Sequence, residues 1–153
     1  MGVVEGNEPV NDNEWEQITR GGDAAIKRWI DEQMEGRSCV VVLIGSQTAR
    51  RKWINYEIEK GWNDGKGVVG IYIHRLKDQE GKQTVKGSNP FDFVKVDVGV
   101  PDYLRRIQFR KIELSRIVKA YDPPYTDSRD VYNYIEQRLA YSVEEAIAIR
   151  KQY

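Results

Sequence analysis

The chain has 153 residues, and its 24 Lys plus Arg balance 24 Asp plus Glu. That balance supplies no field for nucleic acid or an anionic membrane. The longest apolar run, about six residues, is far short of the roughly twenty that a membrane span needs. The single cysteine, Cys39, lies in that run and has no internal disulfide partner. No Cys/His cluster suggests zinc or another metal, and no charged-then-apolar leader opens the chain. The expectation is one cytoplasmic domain with one sizeable core, a monomer or homo-oligomer in a reducing compartment.

Residues 1–20 carry Gly2, Gly6, Pro9, Asn11, Asp12 and Asn13 without apolar periodicity, and read as an irregular segment anchored by Trp15. Gly21-Gly22-Asp23 then opens a helix with Asp23 as the expected N-cap. Ile26, Trp29, Ile30 and Met34 recur along it at helical spacing, and Gly36 ends it. Cys39-Val-Val-Val-Leu-Ile44 is a buried strand. A helix from about Ala49 to Asn63 follows, with Ile54, Ile58 and Trp62 as its apolar stripe. After the turn Asp64-Gly65-Lys66-Gly67 comes a second apolar strand, Val68–Ile73.

Two apolar strands around one amphipathic helix make a βαβ unit, hence a parallel sheet with a right-handed crossover. Residues 77–92 form a polar, Gly-bearing loop of unusual length. Short strands are expected at Phe93–Val98 and Ile117–Tyr121, with a short helix from Pro101 to about Arg110 between them. A long helix runs from Ser128 to about Lys151, capped by Asp127 or Ser128 after the breaker Asp122-Pro123-Pro124. Nothing before residue 38 reads as the buried central strand with which such sheets usually begin. Either the usual first strand is lacking, or the chain starts inside a larger domain, or Val96–Val100 fills the gap.

Four blocks together resemble the TIR-like domain family represented by the sensor subunit of the Thoeris anti-phage defence system. They are Trp15-Glu16 with Gly22–Asp31, Val40–Ser46, Trp53-Ile-Asn-Tyr-Glu57, and Gly70–Asp78 with Lys86–Phe91. The resemblance implies an α/β, flavodoxin-like three-layer fold with a mainly parallel sheet. It also implies kinship with TIR domains that cleave NAD at the nicotinamide–ribose bond and can cyclise the remaining ADP-ribose into a signal for an effector protein. NAD is then a substrate, and no cofactor is implied. In such domains the catalytic glutamate stands four positions after a Trp, and Trp53 and Glu57 match that placement.

Trp53 and Glu57 share one helical face beside the carboxyl edge of a buried strand, where ligands of open α/β sheets collect. Glu57 is accordingly the candidate catalytic residue, with Trp53 and Ser46 as substrate contacts. His74, at a strand's carboxyl edge, and Asp12 with Trp15, at the cleft rim, complete the candidate set. The competing reading of Glu57 is a surface acid paired with Lys60, worth only a few tenths of a kcal/mol. Arg50-Arg51-Lys52 is either a solvated turn or an attractor for a pyrophosphate. At the level of the whole chain, the alternative to an NAD-consuming enzyme is a non-catalytic TIR-like module acting through protein–protein contacts. A receiver or flavin-binding domain would need a loop after a first strand that is not legible here.

Overall fold

Two six-residue apolar runs form the centre of the molecule, β1 (Cys39–Ile44) and β2 (Gly67–Tyr72). They pair in parallel from Cys39↔Gly67 to Ile44↔Tyr72, and β5 (Ala120–Tyr121) extends the sheet beyond β2. The strand order is therefore β1-β2-β5. This computed structural model describes residues 12–153, with the side chain of Asp12 outside the description. Among the described residues no strand precedes β1.

Every residue of β2 is buried, as are five of the six in β1. Strands covered on both faces read as continuous apolar runs rather than alternating ones. The alternation shows instead in what each face touches. Val40, Val42, Ile44, Val68 and Tyr72 pack with Ile26, Ile30 and Met34 of α2 (Gly22–Met34) and with Ile54, Ile58 and Trp62 of α3 (Lys52–Asn63). Cys39, Val41, Val69 and Ile71 face Val143 and Ala146 of α4 (Ser128–Arg150). The result is a three-layer α/β arrangement around a parallel sheet, as the sequence predicts.

Helices α2 and α3 run side by side in the same direction. Lys52 pairs with Asp23, Lys27 lies 5.6 Å from the Tyr56 ring, and the Tyr56 hydroxyl donates to Asp31 at 2.6 Å. These matched steps of four residues on each helix fix their relative register.

Four local expectations are corrected. The segment expected to be irregular carries α1 (Asp12–Arg20), because Trp15 and Ile18 gain a packing surface on the body of the protein. Trp15 meets Trp29 edge-on at 5.8 Å between centroids. Asp23 does not cap α2; the N-cap is Gly21, and Asp23 sits in the first turn as the ion-pair partner of Lys52. Pro101–Arg110 is not a helix: β3 (Lys95–Pro101) and β4 (Ile107–Glu113) form an antiparallel hairpin there. Period-two alternation in Val96-Asp-Val-Gly-Val100 and Ile107-Gln-Phe-Arg110 prevails over helix propensity. Val96–Val100 consequently belongs to a separate two-stranded sheet and does not stand in for a first strand of the parallel one. The expected N-cap of α4 is resolved in favour of Asp127, whose side chain accepts from the amides of Arg129 and Asp130.

Gly67 shows why α4 lies so close to β2. A Cβ there would stand 2.6 Å from the backbone nitrogen of Ile147, so only a glycine lets the helix backbone meet the strand. Gly67→Ala is expected to push α4 off the sheet and destabilise the fold by about 1–3 kcal/mol, read as a lower urea midpoint with the slope unchanged.

Candidate functional site

Beyond Ile44 the chain turns through residues 45–51 before α3 begins. Thr48 pins this turn: its Oγ1 accepts from the Gly45 amide at 2.9 Å and donates back to the Leu43 carbonyl at 3.4 Å. Arg51 Nε donates to the Gln47 carbonyl at 2.7 Å. Arg50 adopts φ 66°, a left-handed conformation costly for a non-glycine residue, with its guanidinium 4.3 Å from the centre of the Phe93 ring. Ser46 is exposed in this turn and lines a cavity of about 310 Å³ with Leu43, Gly45, Gln47, Thr48, Arg51 and Ile54. The basic triplet is thus neither free nor merely solvated: Arg50 covers Phe93, Arg51 braces the turn, and Lys52 pairs with Asp23 and lies 4.9 Å from the Trp53 ring.

The long loop between β2 and β3 straps the carboxyl edge of the sheet. The Thr84 amide donates to the His74 carbonyl at 2.9 Å, and Gln83 Nε2 donates to the carbonyls of Arg75 and Thr126, each at 2.7 Å. Lys86 Nζ lies 4.4 Å from the Tyr72 ring centre and 3.0 Å from Asp122 Oδ2, just beyond β5. Gly87 then crosses β1's end, where a Cβ would stand 2.2 Å from the Gly45 carbonyl oxygen. The strap therefore spans the ends of β5, β2 and β1 in turn.

Glu57 lies on the buried stripe of α3 with Ile54, Ile58 and Trp62, and is 3% exposed. Lys60 turns instead to Asp64 at 2.9 Å and Asp31 at 3.8 Å, which removes the reading of Glu57 as a surface acid paired with Lys60. Among the described residues no group hydrogen-bonds the Glu57 carboxyl. Burial raises its pKa from 4.5 to about 7, because desolvation penalises the charged form. Carboxyl groups in such surroundings are commoner at functional sites than in ordinary cores.

The other candidates are placed as follows. Trp53 is half-buried on α3 and meets Tyr56 edge-on at 6.0 Å. His74 is 6% exposed, meets Tyr72 edge-on at 6.1 Å, and has a buried Nδ1 with no hydrogen-bond partner among the described residues. Burial lowers its pKa, with Asp122 opposing and Arg75 and Lys86 adding to the effect. Trp15 rests on Trp29 in the helical layer, and the side chain of Asp12 lies outside the described residues. Ser46 lines the cavity with Ile54 of α3, whereas Trp53, Glu57, His74 and Trp15 do not line it. Sequence reasoning gave no site role to Thr48 in the turn, Lys86 in the 77–92 loop or Asp122 just after β5; for Lys86 the length of that loop was the only signal. No group of three metal-ligating side chains occurs among the described residues.

The raised Glu57 pKa carries a signed consequence for stability. Between about pH 4.5 and 7 the folded state holds a proton that the unfolded state releases, so stability falls as pH rises and the full deficit is reached above about 7. Glu57→Gln removes that deficit. Its stability is expected to exceed the wild type's by up to about 3 kcal/mol near pH 8, with the gap closing toward pH 5 in urea titrations.

Residues 2–78 match the family described as Thoeris protein ThsB, TIR-like domain. Over 80 residues, 52% of this chain, the sequence is 42% identical to a protein of Bacillus cereus (strain MSX-D12) named "Putative cyclic ADP-D-ribose synthase ThsB1". The matched part is 42% of that relative, so the chain spans under half of its length. The match spans β1, the turn with Ser46, and α3 with Trp53 and Glu57. The chain belongs to the Thoeris ThsB TIR-like domain family.

Proposed function

We propose that this chain cleaves NAD at the nicotinamide–ribose bond, with Glu57 as the catalytic carboxylate, and makes an ADP-ribose-derived signalling nucleotide for an effector protein in anti-phage defence. The observation that carries this reading is Glu57 itself, a buried carboxyl with its pKa near 7, four residues after Trp53 behind the carboxyl edge of β1. The name of the Bacillus cereus relative supports a cyclic product.

In the proposed reaction the bond from the anomeric carbon to the nicotinamide nitrogen breaks, and its electron pair leaves with the neutral pyridine. Pyridinium leaves readily without acid help, so the main demand is stabilising the oxocarbenium-like transition state. The ionised Glu57 carboxylate meets that demand and accepts hydrogen bonds from the ribose diol. A water, or a nucleophilic group of the same ADP-ribose, then attacks the anomeric carbon and gives up its proton. Trp53, Ser46 and His74 are the proposed substrate contacts, and burial lowers the His74 pKa. Because the ionised form is required and burial opposes it, turnover is expected to rise with pH through about 7.

The second reading, a non-catalytic interaction module, is favoured by one observation: Glu57 is 3% exposed, so a substrate reaches it only after its cover opens. The two separate in one assay. NAD consumption is followed for wild type and Glu57→Gln, with products identified by mass spectrometry. A loss of about 10²-fold or more in a variant that remains folded is the expected result. Equal turnover by both proteins, or none by the wild type, overturns the enzymatic reading.

A further inference from the structure

The β3–β4 hairpin projects an apolar surface that neither the sheet nor the helices cover. Tyr103 (90% exposed), Leu104 (55%), Ile107 (61%) and Phe109 (73%) gather at its tip and along β4. The tip is ordered rather than loose: Asp102 Oδ1 accepts from the amides of Leu104 and Arg106, and its Oδ2 accepts from Arg106 Nε. Exposed aromatic and aliphatic groups on a rigid element mark a contact surface more often than isolated exposed side chains do.

The backbone alternation specifies what this surface can pair with. The Asp102 amide donates to Arg106 and the Leu114 amide to Val94, so the even-numbered residues of β4 turn their backbone groups toward β3. Ile107, Phe109, Lys111 and Glu113 therefore point theirs outward, and among the described residues no strand pairs with that edge. The same four side chains line the outer face. Phe109 lies across from Gly99, which offers it no side chain, so its ring and Ile107 close over the glycine and stay bare on the other side. A two-stranded ribbon is marginal alone, and an open edge invites another strand.

We propose that the outer edge of β4 binds a second copy of this chain, antiparallel, about a two-fold axis through Phe109. In that register Phe109 faces the partner's Phe109, Ile107 faces the partner's Lys111 and Gln108 faces the partner's Arg110, while Arg105, in the left-handed turn position just before β4, comes nearest the partner's Glu113. Charge disfavours the neighbouring registers on either side. Centring the pair on Gln108 sets Arg106 against Arg110, centring it on Arg110 sets that residue against itself, and centring it on Lys111 does the same for lysine. Like charges directly opposite destabilise a ladder. Glu113 already holds Arg116 at 3.1 Å, and the partner's Arg105 adds a second cation to that carboxylate. A lipid surface suits the edge less well, since hydrocarbon cannot satisfy the outward amides and carbonyls. The interface is isologous and closed, and it leaves the carboxyl-edge site untouched.

Sedimentation equilibrium of the whole chain, from micromolar to near-millimolar concentration, tests the proposal. The wild type is expected to pass from monomer to dimer. Phe109→Pro removes both an outward-pointing amide and the ring on the proposed axis while sparing the β3–β4 hydrogen bonds, and should weaken the dimer at least tenfold. Glu113→Arg should weaken it as well, and adding Arg105→Glu should restore it. Under oxidation Phe109→Cys should cross-link to itself, since Cys39, 1% exposed, is not a competing thiol. If Phe109→Pro disturbs the hairpin, seen by circular dichroism, the charge swap and the cross-link decide the matter. A wild type that stays monomeric, a dimer indifferent to the charge swaps and the cross-link, or a monomer that binds phosphatidylserine vesicles through the hairpin overturns the proposal.

Discussion

Burial of β1 on both faces is the constraint from which the rest of the structure follows. Cys39–Ile44 meets α2 and α3 through one set of side chains and α4 through the other. Six consecutive apolar residues cannot be satisfied by a single covering layer, because successive side chains point to opposite sides. The chain must therefore supply helices to both faces, and it does so from segments before and after the strand. Parallel pairing with β2 follows, since α3 has to cross over between the two strands. Close packing at Gly67 then brings α4 into backbone contact with the sheet.

The carboxyl edge inherits its properties from that packing. Turn 45–51 begins where β1 ends and leads straight into α3, so Ser46 and the start of α3 sit at the same rim by connectivity alone. The strap from His74 to Phe91 gains its anchors from β5 and the segment just after it, which bring Asp122 and Thr126 beside β2. Glu57 faces inward because the apolar stripe of α3 includes its position, and the core that receives Ile58 and Trp62 receives the carboxyl as well. An acid in such a place is expensive as an anion, and retaining it costs stability that an isosteric amide would not.

The hairpin behaves differently from the rest. Its inner face, Val96 and Val98, joins the main core, while β4 from Ile107 to Lys111 is exposed along its length. The hairpin is thus attached through one strand and open through the other. An element built this way contributes little to the stability of the body and much to what the body can contact.

Periodicity in the sequence determined β1, β2, α2, α3 and α4, because continuous apolar runs and stripes at helical spacing are local properties. The Trp53–Glu57 spacing likewise puts two candidate residues on one face of α3, since side chains four apart on a helix stack one above the other. The hairpin is legible in principle from the alternation around Asp97 and Phe109, but Pro101 and the short intervening segment suggest a helix instead. Three things were decided by tertiary structure alone. Whether Glu57 met water or the core depended on what packed over α3, which no local pattern encodes. The meeting of Lys86 with Asp122, 36 residues apart in sequence, depended on β5 pairing with β2. The helix at Asp12–Arg20 needed Trp29 as a surface, because a segment without apolar periodicity has too little intrinsic drive to fold alone.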